Sequence, residues 1–282
     1  MRKSVSYLGA FFFLFQGCLQ TTTDRRAQMR TWPVTYTEES LDETIVINLD
    51  RDKKKMRAMQ DQLDGLALPF TRFSAIYGMS FNYERTSTAL QILDADKGYS
   101  YQCDPKLPFK PLSPGEVGNK LSHYEVSKMV IKSGHKVALV LEDDSELPPD
   151  FKNRLDDTLK HLPKNWDLIY LYCNANYHWG CPKDRTPKTR DQRYSFLSAS
   201  CTAGNVAYLI NAESARKINE KVMPLRNMPT DILIGEYFFT DPKFQAYCIN
   251  PELVKTSTDP EKYGIDQMGR RDKNQASGCV AP

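Results

Sequence analysis

The chain reads as an α/β protein, a largely parallel sheet with helices on both faces, and three observations lead there. Four short runs rich in apolar residues, at 44–49, 137–141, 166–171 and 205–210, read as strands, with 137–141 and 166–171 having the pattern of buried ones. Stretches with helical spacing separate them. The run Val137-Ala138-Leu139-Val140-Leu141 passes straight into Glu142, Asp143 and Asp144, and open α/β sheets bind ligands at such carboxyl ends.

The elements follow in order. Thr44-Ile45-Val46-Ile47-Asn48-Leu49 predicts the first strand. Asp50 is the expected N-cap of the next helix, whose Met56, Met59 and Leu63 share a face before Gly65 stops it. Residues 69–73 predict a second strand, completing a βαβ opening. Residues 79–111 are rich in Tyr, Pro and charge and read as a surface excursion able to shape an acceptor site. Ser113-Pro114-Gly115-Glu116 is a helix start: Ser113 caps, Pro114 fits the first turn, and Glu116 completes a capping box. Val117, Leu121 and Tyr124 follow at helical spacing, and Gly134 ends the element. Residues 151–162 predict a further helix and 166–171 a further strand. Residues 173–193 read as a basic loop. A strand at 205–210 then leads to a helix capped by Asn211 and running through Ile218. The chain after Pro251 reads as a polar, partly ordered tail.

The acidic run is where chemistry concentrates. Alternation along a strand puts Glu142 and Asp144 on one side and Asp143 on the other. Adjacent carboxylates repel, so a fold tolerates them best where a hard divalent cation or strong donors compensate. A solvated turn is the plain alternative, and Pro148-Pro149 downstream is consistent with it. The apolar strand in front favours a metal-and-phosphate site.

Composition narrows the rest. The 282 residues suffice for one large α/β domain or two small ones. With 38 basic and 35 acidic residues the formal charge is +3, and no basic block interleaved with aromatics speaks for nucleic acid. Arg2 and Lys3 precede an apolar stretch at residues 7–19, so 1–19 reads as a signal peptide or short membrane anchor. Leu14-Phe15-Gln16-Gly17-Cys18 resembles a lipoprotein cleavage box. Residues 20–43 read as a polar linker, 44–251 as the folded domain and 252–282 as the tail. Setting Cys18 aside leaves six cysteines, with Cys173 and Cys181 near enough in sequence to close a loop.

Five segments together resemble glycosyltransferase family 25, which includes bacterial lipooligosaccharide and collagen galactosyltransferases. They are Ile47-Asn48-Leu49-Asp50-Arg51; Leu112-Ser113-Pro114-Gly115-Glu116-Val117-Gly118 with Leu121-Ser122-His123; Leu141-Glu142-Asp143-Asp144; Thr202-Ala203-Gly204-Asn205-Val206-Ala207-Tyr208-Leu209-Ile210; and Pro229-Thr230-Asp231. The resemblance implies a GT-A-type, Rossmann-like sheet, a UDP-sugar donor, Mn²⁺ or another divalent cation, and inverting transfer of a hexose such as galactose to a hydroxyl of a glycan or glycoconjugate. It points to Asp144 with Glu142 as metal ligands, and to Asn48, Arg51, Glu142 and Asp143 on the donor side. Asp231 is the implied general base, with a helix N-cap as its structural alternative, and His123 a donor- or metal-site residue. Some positions depart from the family pattern. Asn119-Lys120 stand where a small residue is usual, Lys55 replaces a common Arg, and residues 253–259 replace a Gln-containing segment. A catalytically silent envelope protein that keeps the fold is the rival reading, and a carboxylate-pair glycosidase a weaker third.

Overall fold

The computed structural model describes residues 36–81, 83–85, 90–92, 98–102, 112–173, 195–198, 205–227 and 243–257. The chain divides after Tyr36, and the unit beginning at Thr37 carries everything described below. Among the described residues no helix is long and apolar enough to cross a membrane; residues 1–19 lie outside them.

A seven-stranded sheet is built from β1 (Glu43–Asn48), β2 (Thr71–Ser74), β3 (Ala138–Glu142), β4 (Leu168–Tyr170), β5 (Ser195–Ser198), β6 (Ala207–Ile210) and β7 (Ala246–Asn250), in the spatial order β5-β7-β4-β6-β3-β1-β2. β1 pairs in parallel with β2 and β3, and β4 with β7, whereas β6 and β5 run against their neighbours. Five of the seven strands thus share a direction, and the α/β expectation holds. The reversed β6 runs from Ala207, opposite Leu141, to Ile210, opposite Ala138. Its entry point therefore lies at the carboxyl end of β3.

Among the described residues four α-helices cover the sheet: α1 (Lys53–Gly65), α2 (Pro114–Ser133), α3 (Phe151–Leu159) and α4 (Ala212–Val222). Strand alternation sorts them by face. Ile45, Ile47, Ala138 and Val140 pack with Val117, Leu121 and Val130 of α2 and Ala215 and Ile218 of α4. Val46, Leu139 and Leu141 pack on the other side with Met59 and Leu63 of α1 and Phe151, Leu155 and Leu159 of α3. Leu139, Val140 and Leu141 have no exposed surface, and each such burial contributes roughly 1.5–3 kcal/mol.

Local signals decide the helix ends. Ser113 Oγ accepts from the Glu116 N–H while Glu116 Oε2 accepts from the Ser113 N–H at 2.7 Å, closing the expected capping box. Gly134 ends α2 in the left-handed region at φ 69°. Asn211 caps α4 by accepting from the Ser214 N–H at 2.8 Å. The first helix differs from expectation. Its N-cap is Asp52, and Asp50 instead meets Arg72 at 2.5 Å, because an arginine across the sheet outcompetes a local cap.

Three further differences concern chain outside the predicted elements. β5 and β7 were not anticipated, being four and five residues long with no flanking helical period. Leu253 and Val254 are buried, and Lys255–Thr256 pair with Ser145–Glu146, so the packed unit continues past Pro251. Cys173 is bonded to Cys248, 75 residues away, and not to Cys181, which lies outside the described residues. Sequence proximity misled here because β4 and β7 are neighbours in the sheet. Closing a loop of that length restricts the unfolded chain by roughly 4 kcal/mol in the chain-entropy account.

One close approach fixes the segment after β2. A Cβ on Gly78 would lie 1.7 Å from the Pro114 carbonyl oxygen, and one on Gly118 would lie 2.5 Å from the Ile76 oxygen. The Ile76 N–H also donates to Ser122 Oγ at 2.8 Å. Glycine at both places lets backbone meet backbone. Gly118→Ala is expected to destabilise the protein by about 1–3 kcal/mol through overpacking. Gly65→Ala, with nothing within 4 Å of the added carbon, should be neutral or stabilising. Thermal melts of the two variants check the contrast, and equal melting temperatures would contradict it.

Candidate active site

The chain passes from β1 to β2 on one side and then crosses to β3 on the other side of β1, a reversal at which open α/β sheets form a crevice between strand carboxyl ends, here those of β1 and β3. Open α/β sheets bind ligands at such a reversal. Asn48 closes β1 and Glu142 closes β3, so both border that crevice, and Asp143 and Asp144 follow in the turn.

Each acid has its own surroundings. Glu142 lies on the face of α2, as alternation requires. Its Oε1 accepts from Asn119 Nδ2 at 2.8 Å and lies 3.0 Å from His123 Nε2. The other ring nitrogen of His123, Nδ1, lies 2.9 Å from the Tyr208 hydroxyl. An ionised carboxylate only accepts, so Nε2–H points at Glu142, and Nδ1 is left to pair with the Tyr208 hydroxyl. Burial, followed by Glu142, pushes the Tyr208 hydroxyl well up, which keeps it a donor. Burial also pushes the Glu142 carboxyl up, but His123, Asn119 and Lys55 together outweigh it and hold Glu142 below its ordinary value. The chain Tyr208–His123–Glu142 spans β6, α2 and β3.

Asp143 faces the opposite side, toward α1. Its Oδ2 accepts from Asn48 Nδ2 at 2.7 Å, and Lys55 Nζ lies 3.6 Å from Oδ1. Arg72 orients Asn48: its Nε donates to Asn48 Oδ1 at 2.9 Å, which leaves the amide nitrogen for Asp143. Burial raises the Asp143 carboxyl, with Lys55 and Asn48 acting against it.

Asp144 is the exception. Its Oδ1 is buried and, among the described residues, has no hydrogen-bond partner. Its backbone carbonyl accepts from the Ser257 N–H at 2.9 Å, so the C-terminal segment pins the turn. Burial first, then the charges of Glu142 and Asp143, push its carboxyl up to about 7. A buried polar atom left unpaired is costly, and the two carboxylates beside it add repulsion. Those conditions favour a cation. Among the described residues no group of three or more His, Cys, Asp or Glu is gathered for a metal. One acid with a bare oxygen nevertheless fits a hard divalent ion that takes its other ligands from phosphate oxygens and water.

A family model described as glycosyltransferase family 25 (LPS biosynthesis protein) matches residues 41–234, well over half of the chain. The chain belongs to glycosyltransferase family 25. Among relatives, a procollagen galactosyltransferase 1-B of Xenopus laevis is 31% identical over 76% of this chain and 36% of its own length. A procollagen galactosyltransferase 1-A of the same organism is 28% identical over 78% of this chain and 35% of its own. A human protein named inactive glycosyltransferase 25 family member 3 is also 28% identical, over 78% and 36%. The chain therefore spans about a third of the length of these relatives. A solved glycosyltransferase involved in glycosylation of the major capsid of PBCV-1 aligns at a TM-score of 0.36 and 11% identity, over 73% of this chain and 80% of its own.

Of the family-implied residues, Asn48, His123, Glu142, Asp143 and Asp144 come together at the crevice. Glu142, expected to share a cation with Asp144, has Oε1 taken by His123 and Asn119. His123 has both ring nitrogens engaged, one by Glu142 and the other by Tyr208. Arg51 lies beside the crevice with its guanidinium 4.4 Å over the Tyr77 ring. Asp231 and residues 202–204 and 229–230 lie outside the described residues. Sequence reading missed the supports: Arg72, Asn119 and Tyr208. Asn119 departs from the family pattern, yet it donates to Glu142.

The Asp144 environment has a stability signature. Between its ordinary value of 3.8 and about 7 the unfolded chain releases a proton that the folded chain keeps, so stability falls as pH rises through that window. Asp144→Asn removes the ionisation. The variant is expected to match the parent near pH 4 and to exceed it at pH 8, by up to roughly 4 kcal/mol at 1.36 kcal/mol per unit. Urea unfolding of the cation-free protein at both pH values checks this, and a variant less stable at pH 8 would contradict it.

Proposed function

We propose that this family 25 member transfers a hexose, with galactose the first to test, from a UDP-sugar to a hydroxyl of a glycan or glycoconjugate, with inversion, as in lipopolysaccharide or lipooligosaccharide assembly. The observation that carries the reading is the bare, buried Asp144 oxygen beside two other acids at the crevice of the sheet. Asp144 would hold the divalent cation, Mn²⁺ being the first candidate, whose bound form would supply Lewis-acid neutralisation of the leaving diphosphate.

The chain's own residues would do the rest. Lys55 adds a fixed positive charge beside the acids, where a diphosphate brings negative charge. Asn48, set by Arg72, holds Asp143; His123, set by Tyr208, holds Glu142. These contacts keep the acidic turn in one geometry before substrate arrives, which lowers the cost of reaching the transition state. In the displacement, the acceptor oxygen bonds to the anomeric carbon as the carbon–oxygen bond to the diphosphate breaks. The bonding pair leaves with the diphosphate, and the acceptor's proton passes to a base, for which we propose Asp231.

Membrane association through residues 1–19 belongs to the same proposal. The Cys173–Cys248 disulfide supports an oxidising compartment for the domain. The silent-protein reading has one specific support, since the human relative named inactive is as similar as one of the galactosyltransferases. The intact acidic turn favours activity.

Incubation with UDP-galactose, UDP-glucose or UDP-N-acetylhexosamines and Mn²⁺ should release UDP, most rapidly with one of the three. Asp144→Asn should lower that rate at least about 100-fold, the scale of losing a preorganised electrostatic group. Absence of UDP binding in calorimetry would instead favour the silent reading.

A further inference from the structure

We infer that Tyr77, backed by Arg51, is the platform on which the base of the nucleotide donor stacks; the inference rests on the donor site proposed above. Tyr77 is 37% exposed and Met79 53%, and these are the exposed large hydrophobic side chains among the described residues. Neither belongs to a loose loop. The Ile76 N–H is held by Ser122 Oγ, Gly78 is pressed against Pro114 and Gly118, and Ser80 donates from both its backbone N–H and its hydroxyl to the Tyr77 carbonyl, at 2.9 and 2.7 Å. An aromatic ring kept in water by a rigid backbone has already lost the freedom that a ligand would otherwise have to remove.

Position identifies the ligand. The Ala75 N–H donates to the Asn48 carbonyl at 2.9 Å, and Asn48 is the residue that holds Asp143. Tyr77 follows two residues later, so its backbone stands within about 7 Å of Ala75. Tyr77 thus follows β2 directly, on the β1–β2 flank of the crevice. Arg51 comes from the junction of β1 and α1 and stands over one face of the ring, 4.4 Å from its centroid, which leaves the opposite face for a base. Its side chain, 40% exposed, also meets Asp52 at 3.8 Å. A planar base gains from both groups, stacking on the exposed ring and receiving hydrogen bonds from the guanidinium edge. A sugar ring can also lay its C–H face on an aromatic ring, so it is the place of Tyr77 beside the end of β1, next to Asn48, that assigns the donor's base and not the acceptor here. Stacking is tolerant of base identity and blind to the sugar, so Tyr77 sets nucleoside affinity while hexose choice is made elsewhere.

Calorimetry on the full chain with Mn²⁺, using UDP and inorganic pyrophosphate as probes, tests this. Tyr77→Ala and Tyr77→Leu should weaken UDP binding roughly 10- to 100-fold, the range of one lost base–aromatic stack. Pyrophosphate affinity should be unchanged, and Tyr77→Phe should bind UDP like the parent. Tyr77→Leu keeps apolar bulk at an exposed position, so its melting temperature controls for folding. UDP binding undiminished in both variants overturns the platform alone, whether or not acceptor KM rises. A parent protein that binds neither probe overturns the donor site and the platform together.

Discussion

Three carboxylates in succession at the end of a fully buried strand are the constraint around which the site is arranged. Their mutual repulsion has to be met by something, and the structure meets it unequally. Glu142 receives His123 and Asn119 from α2. Asp143 receives Asn48 from β1 and Lys55 from α1. Asp144 keeps one buried oxygen, Oδ1, that receives no donor among the described residues. Two acids are thereby fixed and the third is kept in a state that a proton or a cation relieves. Stability given up at one position in this way is characteristic of sites that bind something.

Topology makes the arrangement possible. The crossover from β2 past β1 to β3 opens the crevice, and it puts α1 and α2 on opposite faces. Donors can then approach the acidic turn from both sides, which strand alternation alone would divide. The reversed β6 adds a third approach. Because it enters at the carboxyl end, the Val206 carbonyl meets both the Glu142 N–H and Ser145 Oγ, and Tyr208 lies behind His123. The C-terminal segment closes the turn from outside through Ser257.

Legibility of the sequence followed the range of the interactions. The capping box of Ser113 and Glu116, the Asn211 cap and the Gly134 terminus were readable because each depends on residues three or four apart. Buried strands 137–141 and 205–210 were readable because burial on both faces leaves an unbroken apolar run. The N-cap at Asp50 was misassigned because its carboxylate finds Arg72 from another strand. Sequence spacing shows only that Cys181 is near enough to Cys173 to close a loop, whereas sheet order brings Cys248 to it.

From the sequence alone came the fold class, the family and the acids, since apolar periodicity and a few contiguous motifs carry them. The tertiary structure alone decided which acid is left bare, because Asn119 reaches Glu142 directly while Arg72 acts through Asn48 and Tyr208 through His123, each from a separate element with no shared motif. It also decided that Tyr77 is held in the open. That depends on two glycines forty residues apart meeting backbone to backbone, a contact no local pattern encodes.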